Sequence, residues 1–175
     1  MSLAIRTLSA AETEAQIPAL GTLLRNCVAQ GASVGFVMPF AQREAEAFWT
    51  QAVLPGLRAG DRLLWAAFDT GTLVGTVQLA FATMPNQSHR AEVSKMLVSP
   101  ACRRRGIARA LMQALLARAA EEGRSLITLD TRSGDAAQPL YASCGFAVAG
   151  EIPGYALAPD GSPRRDPTTV MYRSL

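Results

Sequence analysis

Met96-Leu97-Val98-Ser99-Pro100-Ala101-Cys102-Arg103-Arg104-Arg105-Gly106-Ile107-Ala108 is the stretch whose reading decides the fold. An apolar run passes into a turn rich in Pro, Arg and Gly, and Arg105 to Glu122 then reads as an amphipathic helix. A strand that re-enters as a helix N-terminus aims unpaired backbone N–H groups, and the positive end of the helix dipole, at one place. Such a place suits a phosphate. Gly106 lets the backbone approach an anion closely, Ala108 keeps the first helical turn thin, and Arg103, Arg104 and Arg105 add charge. The Lys-Ser/Thr pair of a nucleoside-triphosphate loop is missing, which argues against that class.

Working outward, Leu3 to Leu8 predicts a first strand, and Ser9-Ala10-Ala11-Glu12 is a capping-box pattern opening a helix to about Gln30. Gly31 to Phe36 breaks it, and Pro39 starts a second helical segment that ends near Gly60. Leu63 to Phe68 and Leu73 to Thr83 read as a hairpin around Asp69-Thr70-Gly71, followed by a fourth strand over Ala91 to Val98. After the helix that Gly123 closes come a short buried strand at Leu126 to Leu129 and a last helix at Ala136 to Ser143. Final strands fall at Phe146 to Ile152 and Thr169 to Arg173. This order predicts an α/β fold: one domain over residues 1–175 with a mixed central sheet of about seven strands flanked by helices. The sheet should be antiparallel through the hairpin and parallel where the Arg loop crosses between strands four and five.

Composition restricts the partners. The 175 residues are 49% hydrophobic and 18% charged, with a net charge of +3, as expected of one globular domain with its own core. Lys95 is the only lysine, and the arginines are dispersed apart from Arg103 to Arg105, so no basic stripe for nucleic acid is expected. Cys27, Cys102 and Cys144 are odd in number and lack metal-ligand spacing, which predicts no metal site and a reducing compartment. Met1 to Arg6 carries no signal-peptide pattern and no stretch has the length to span a bilayer, so a cytoplasmic protein without membrane contact is the expectation.

Arg103-x-x-Gly106-x-Ala108 after a strand resembles the acyl-CoA pyrophosphate loop of the GCN5-related N-acetyltransferase family, and the order of elements resembles that family from end to end. The resemblance implies acetyl-CoA as the acetyl donor, bound by Arg103, Arg104, Arg105, Gly106, Ile107 and Ala108. It also implies that Met96, Leu97 and Val98 line the thioester and pantetheine arm with main-chain groups beside a strand bulge. Tyr141, in Tyr141-Ala142-Ser143-Cys144-Gly145-Phe146, matches the family's Tyr-x-x-x-Gly-Phe, which implies the acid that protonates the departing thiolate. Where the family often carries an Asn seven residues before that Tyr, this chain has Gly134 followed by Asp135, so the Asn role does not transfer. Gly31 to Phe36, Arg90 to Val93, Leu129 to Thr131, Gly150 to Tyr155 and Pro159 to Gly161 look like a toxin-inactivating subgroup, implying a small amino-acid-like acceptor.

An amine must lose its proton before it attacks a thioester, so a carboxylate base is required, acting directly or through water. Glu92, eleven residues before Arg103, resembles the family's catalytic glutamate in spacing, and strand alternation sets Glu92 and Ser94 opposite Ala91, Val93 and Lys95. Asp130 falls at the end of strand five, where open α/β sheets form crevices. Each residue keeps a structural alternative: an ion pair with Arg90 for Glu92, a turn cap for Asp130, a core position for Tyr141. The resemblance and these residues together imply direct acetyl transfer to a small-molecule amine acceptor; a noncatalytic acyl-CoA-binding module and a protein or peptide N-acetyltransferase are the alternatives. A homodimer through edge strands six and seven is left open.

Overall fold

The computed structural model describes residues 3–175; Met1 and Ser2, at the head of the predicted signal-free segment, lie outside the described residues. Seven strands form one sheet in the order β1-β2-β3-β4-β5-β7-β6. Their ranges are β1 Leu3–Thr7, β2 Arg62–Asp69, β3 Thr72–Phe81, β4 Arg90–Val98, β5 Leu126–Arg132, β6 Ala147–Leu157 and β7 Arg165–Ser174. Neighbours pair antiparallel except β4 and β5, which run parallel. The predicted mixed sheet and its parallel crossover are therefore observed. The edge expectation is half corrected, because β7 lies between β5 and β6 and has both sides paired.

Alternation along β2 buries both faces of the sheet. Trp65 and Ala67 meet helix α5 (Ile107–Glu121) through Ile107, Leu111, Met112 and Leu115, and Tyr141 of α6 (Ala137–Ser143) joins the same layer. Leu64 and Ala66 meet the opposite layer of α2 (Ile17–Ala29) and α3 (Gln42–Phe48) through Leu20, Leu24 and Ala45. Helices on both faces are what a sheet with two apolar sides requires.

The helix expected from Ser9 to about Gln30 is two helices, α1 Ala10–Ala15 and α2. Ser9 caps α1 with the predicted box, its Oγ accepting from the Glu12 N–H at 3.2 Å while the Glu12 carboxylate accepts from the Ser9 N–H at 2.8 Å. Pro18 ends that ladder: it has no N–H to donate and its ring crowds the preceding turn, so the chain restarts as α2 with Pro18 in its first turn. The second helical segment is likewise divided, into α3, a π-helical turn at Trp49–Val53 and α4 Leu54–Ala59.

Strands β5, β6 and β7 run longer than expected, to Arg132, to Leu157 and back to Arg165. Turn-forming Gly150, Pro153 and Gly154 disguise β6, which absorbs them through register shifts between Val148 and Gly150 and between Ile152 and Ala156. Its partner ladder with β7, rather than its own composition, holds it extended.

Candidate active site

Strands β4 and β5 pair only from Arg90↔Leu126 to Glu92↔Thr128 and then separate. Beyond that point the side of β4 facing β5, from Val93 to Val98, has no ladder partner. A cavity of about 730 Å³ fills the gap, within the usual range of ligand pockets, and it runs from the start of α5 to the ends of β5 and β7.

A bulge in β4 shapes its wall. Lys95 and Met96 together oppose Val77, since Gln78 pairs with Ser94 and Thr76 with Leu97. Lys95 takes a φ of +51°, the left-handed region that a non-glycine residue enters only at some cost. The extra residue resets the alternation. Ala91 and Val93 face the α5 layer, whereas Leu97 packs against the α2–α3 layer. The expectation that Lys95 shares a face with Ala91 and Val93 is corrected: its ammonium sits 5.3 Å from the Phe48 ring and 5.9 Å from the Phe36 ring, on the opposite side. Periodicity alone carries no sign of an inserted residue.

At the other end, Gly106 is the N-cap of α5 with φ +80°, and no side chain caps the helix, so its first N–H groups are left to face the cavity. Arg104 also has a positive φ, +59°. The turn is thus wound so that successive amides converge, a geometry suited to anionic oxygens. Arg103, Arg104, Gly106, Ile107 and Ala108 line the cavity, as do Met96, Leu97 and Val98. Arg105 does not. Its guanidinium turns away to Asp69, at 2.7 Å, on the far side of the turn.

The three residues read as catalytic are placed differently from one another. Asp130 lines the cavity, with the Thr168 hydroxyl 2.8 Å from its Oδ2. Tyr141 also lines it, otherwise buried, its ring packed edge-to-face on Phe146 at 6.1 Å. Burial pushes its phenol well above the ordinary tyrosine range, with Asp135 and Asp130 adding to the effect. Glu92 is outside the lining, on the face of β4 that Ser94 shares, and forms an ion pair with Arg90 at 3.8 Å, the structural alternative raised for it.

Several lining residues were not singled out by sequence. Arg132 bridges Asp135 at 3.0 Å and Asp166 at 3.6 Å, closing one wall by joining β5, the start of α6 and β7. Gly134, at the position where the family often carries Asn, lies outside the lining, and its N–H donates to Gln138 Oε1 at 3.0 Å. Cys27 of α2 donates through its thiol to the Val98 carbonyl at 3.5 Å; burial pushes the thiol up, while Arg103 beside it opposes the shift. All three cysteines are free thiols. Among the described residues no group of three His, Cys, Asp or Glu side chains is placed to hold a metal ion, and no helix is long and apolar enough to cross a membrane.

Comparison with known proteins agrees with this architecture. The sequence model of the acetyltransferase (GNAT) family matches residues 27–146. An uncharacterized N-acetyltransferase from the hisH-hisA intergenic region of Azospirillum brasilense is 29% identical over 135 residues, covering 73% of this chain and 76% of that one. The ribosomal-protein-alanine N-acetyltransferase of Brucella melitensis superposes with a TM-score of 0.81 at 22% identity, covering 98% of this chain and 99% of the other. The yncA acetyltransferase of Salmonella typhimurium, solved with its cofactor acetyl-CoA, gives 0.80 at 19% identity over 100% and 95%. The family match spans β4, the loop, α5, β5 and α6 together, and the chain belongs to the acetyltransferase (GNAT) family.

Proposed function

We propose that the protein transfers the acetyl group of acetyl-CoA directly to the amine of a small, amino-acid-like acceptor. One observation carries the reading: a single cavity joins the uncapped start of α5 to Asp130 and Tyr141 through the opening between β4 and β5. Arg103, Arg104 and the amides of Gly106 to Ala108 would hold the pyrophosphate, and the unpaired edge of β4 from Met96 to Val98 would hold the pantetheine arm. Acetyl-CoA supplies the thioester that an amine attacks.

The chain's own groups then handle protons and charge. Asp130 takes the acceptor's proton from inside the cavity, and Glu92, one strand over on the solvent side, relays it through water. Main-chain N–H groups at the β4 opening, fixed before reaction, meet the developing oxyanion. The Tyr141 phenol remains protonated because burial disfavours the phenolate, and it donates its proton to the departing thiolate.

A small acceptor fits the far wall of the cavity, which Gly31 to Gly35, Tyr155 and Asp166 to Thr168 enclose. The likeness of Gly31 to Phe36 and Gly150 to Tyr155 to the tabtoxin resistance protein supports a toxin- or antibiotic-like amino acid as acceptor. A homodimer paired through the exposed edge of β6, with Val148, Ile152 and Leu157, belongs to the same reading. The test is thiol release from acetyl-CoA against amino acids, β-lactam amino acids, polyamines, aminoglycosides and peptides. Turnover with an amino-acid-like amine is the expected result. Turnover with peptides alone overturns the small acceptor, and tight acetyl-CoA binding without turnover on any amine overturns catalysis.

A further inference from the structure

Lys95 is the only lysine in a chain that otherwise uses arginine for basic side chains, and the bulge in β4 delivers it into the cavity. Its surroundings give the ammonium little. It lies over the Phe36 and Phe48 rings and makes no ion pair among the described residues. The two carboxylates that act on it are engaged elsewhere, Glu92 with Arg90 and Asp130 with Thr168. Ring faces attract a cation but accept none of its three N–H bonds in the way an anion does. Next to the ammonium, Gly35 holds φ +94°, and a Cβ there would come within 3.7 Å of Nζ. A bulge that costs backbone strain, a glycine whose left-handed backbone passes close to the ammonium and a cation without an anion share one spot.

We propose that Lys95 is the acceptor-specificity residue, its ammonium binding a carboxylate or equivalent anionic group on the acceptor while the acceptor's amine faces Asp130. The inference rests on the acetyl-transfer reading above and names the class of acceptor: amines that also carry an acid, not polyamines or aminoglycosides. Charge order along the wall fits a zwitterion, with Lys95 on the bulge and Asp130 across the opening. Glu92, Asp130 and Arg62 are the charged groups that act on Lys95; burial and then Arg62 push its ammonium below the usual lysine range, and the two carboxylates pull it back. An anionic acceptor would add to the carboxylates' side of that balance. Lysine suits the role because its compact ammonium reaches a single acid group between two rings without the width of a guanidinium.

The test compares matched acceptors, L-methionine with L-methioninamide and L-phenylalanine with L-phenylalaninamide, on wild type, Lys95→Met and Lys95→Arg. The amides have the less basic amines and so start with the chemical advantage. Wild type should nevertheless favour the acids by at least about tenfold in kcat/KM, the scale of one charged hydrogen bond. In Lys95→Met that preference should collapse, through KM for the acid and not through kcat on the amide, with acetyl-CoA affinity unchanged; Lys95→Arg should keep part of it. A second readout needs no turnover: reductive methylation with mass spectrometry reports this lone lysine, and acid acceptors should protect it where amides do not. If wild type acetylates the amides as well as the acids, or Lys95→Met keeps the preference, the specificity role is overturned while acetyl transfer stands. If no amine is acetylated and no acid protects Lys95, both readings fall together.

Discussion

Asp130 and Glu92 occupy different positions, and that difference ranks them. Asp130 stands in the cavity wall beside the Thr168 hydroxyl, while Glu92 lies outside it against Arg90. Asp130→Asn, which keeps shape and removes the base, should therefore lower kcat by roughly 10²-fold, the common scale of general-base contributions. Glu92→Gln should cost less, and the double variant should lose less than the product of the two if they serve one proton path. Single-turnover rates on a confirmed acceptor check both; a wild-type rate in Asp130→Asn would show that the proton leaves by another route. For Tyr141 the sign of the pKa shift fixes the pH behaviour. An acid catalyst fails as pH rises through its pKa, and burial moves that pKa upward, so Tyr141 should impose no fall in rate up to the ordinary tyrosine value of 10.0. Tyr141→Phe should reduce turnover with little change in acetyl-CoA affinity and without moving either limb of the pH profile. Equal turnover under conditions where chemistry limits the rate would make Tyr141 a core residue only.

The β4–turn–α5 unit was the most legible element, because its glycine and arginines report a backbone requirement directly. Gly106 has φ +80° with nothing within 4 Å of where a Cβ would sit, so its constraint is conformational and not steric. A β-branched residue is poorly tolerated there; Gly106→Val should unwind the turn and raise the acetyl-CoA Kd about tenfold, which ~1.4 kcal/mol suffices to do. Calorimetry on the folded variant checks this, and an unchanged Kd would remove the pyrophosphate seat. Sequence is a poorer guide where the deciding fact is not local. The break at Pro18 is local and legible in the chain, whereas the length of β6 depends on its pairing with β7 and the facing of Lys95 depends on a register set by β3. Arg105 reads in sequence as a third member of the anion turn, yet Asp69, far away in the chain, claims it.

At the scale of the whole molecule, the order of elements specified the sheet and the place where it opens, but not which carboxylates would stand in the opening. That depends on how strands distant in sequence are aligned, as when Thr168 of β7 meets Asp130 of β5. The same alignment sets a trade between stability and recognition at Lys95. An ammonium removed from water without an anion is a liability to the fold, so Lys95→Met should raise Tm by a few degrees, about 1 kcal/mol corresponding to roughly 2–4 °C in a domain of this size. Differential scanning calorimetry checks it, and a lowered Tm would mean that the ring contacts outweigh the desolvation. The bulge has a genetic counterpart. Strike out the Lys95 codon and what remains, Ala91, Val93, Met96 and Val98 against Glu92, Ser94 and Leu97, is a regular alternating strand with every side chain still on the face it occupies now. An in-frame deletion of that one residue should thus yield a folded protein with its apolar layers intact, and one that no longer distinguishes an acid from its amide. By this arithmetic, a single triplet separates a plain scaffold from a selective one.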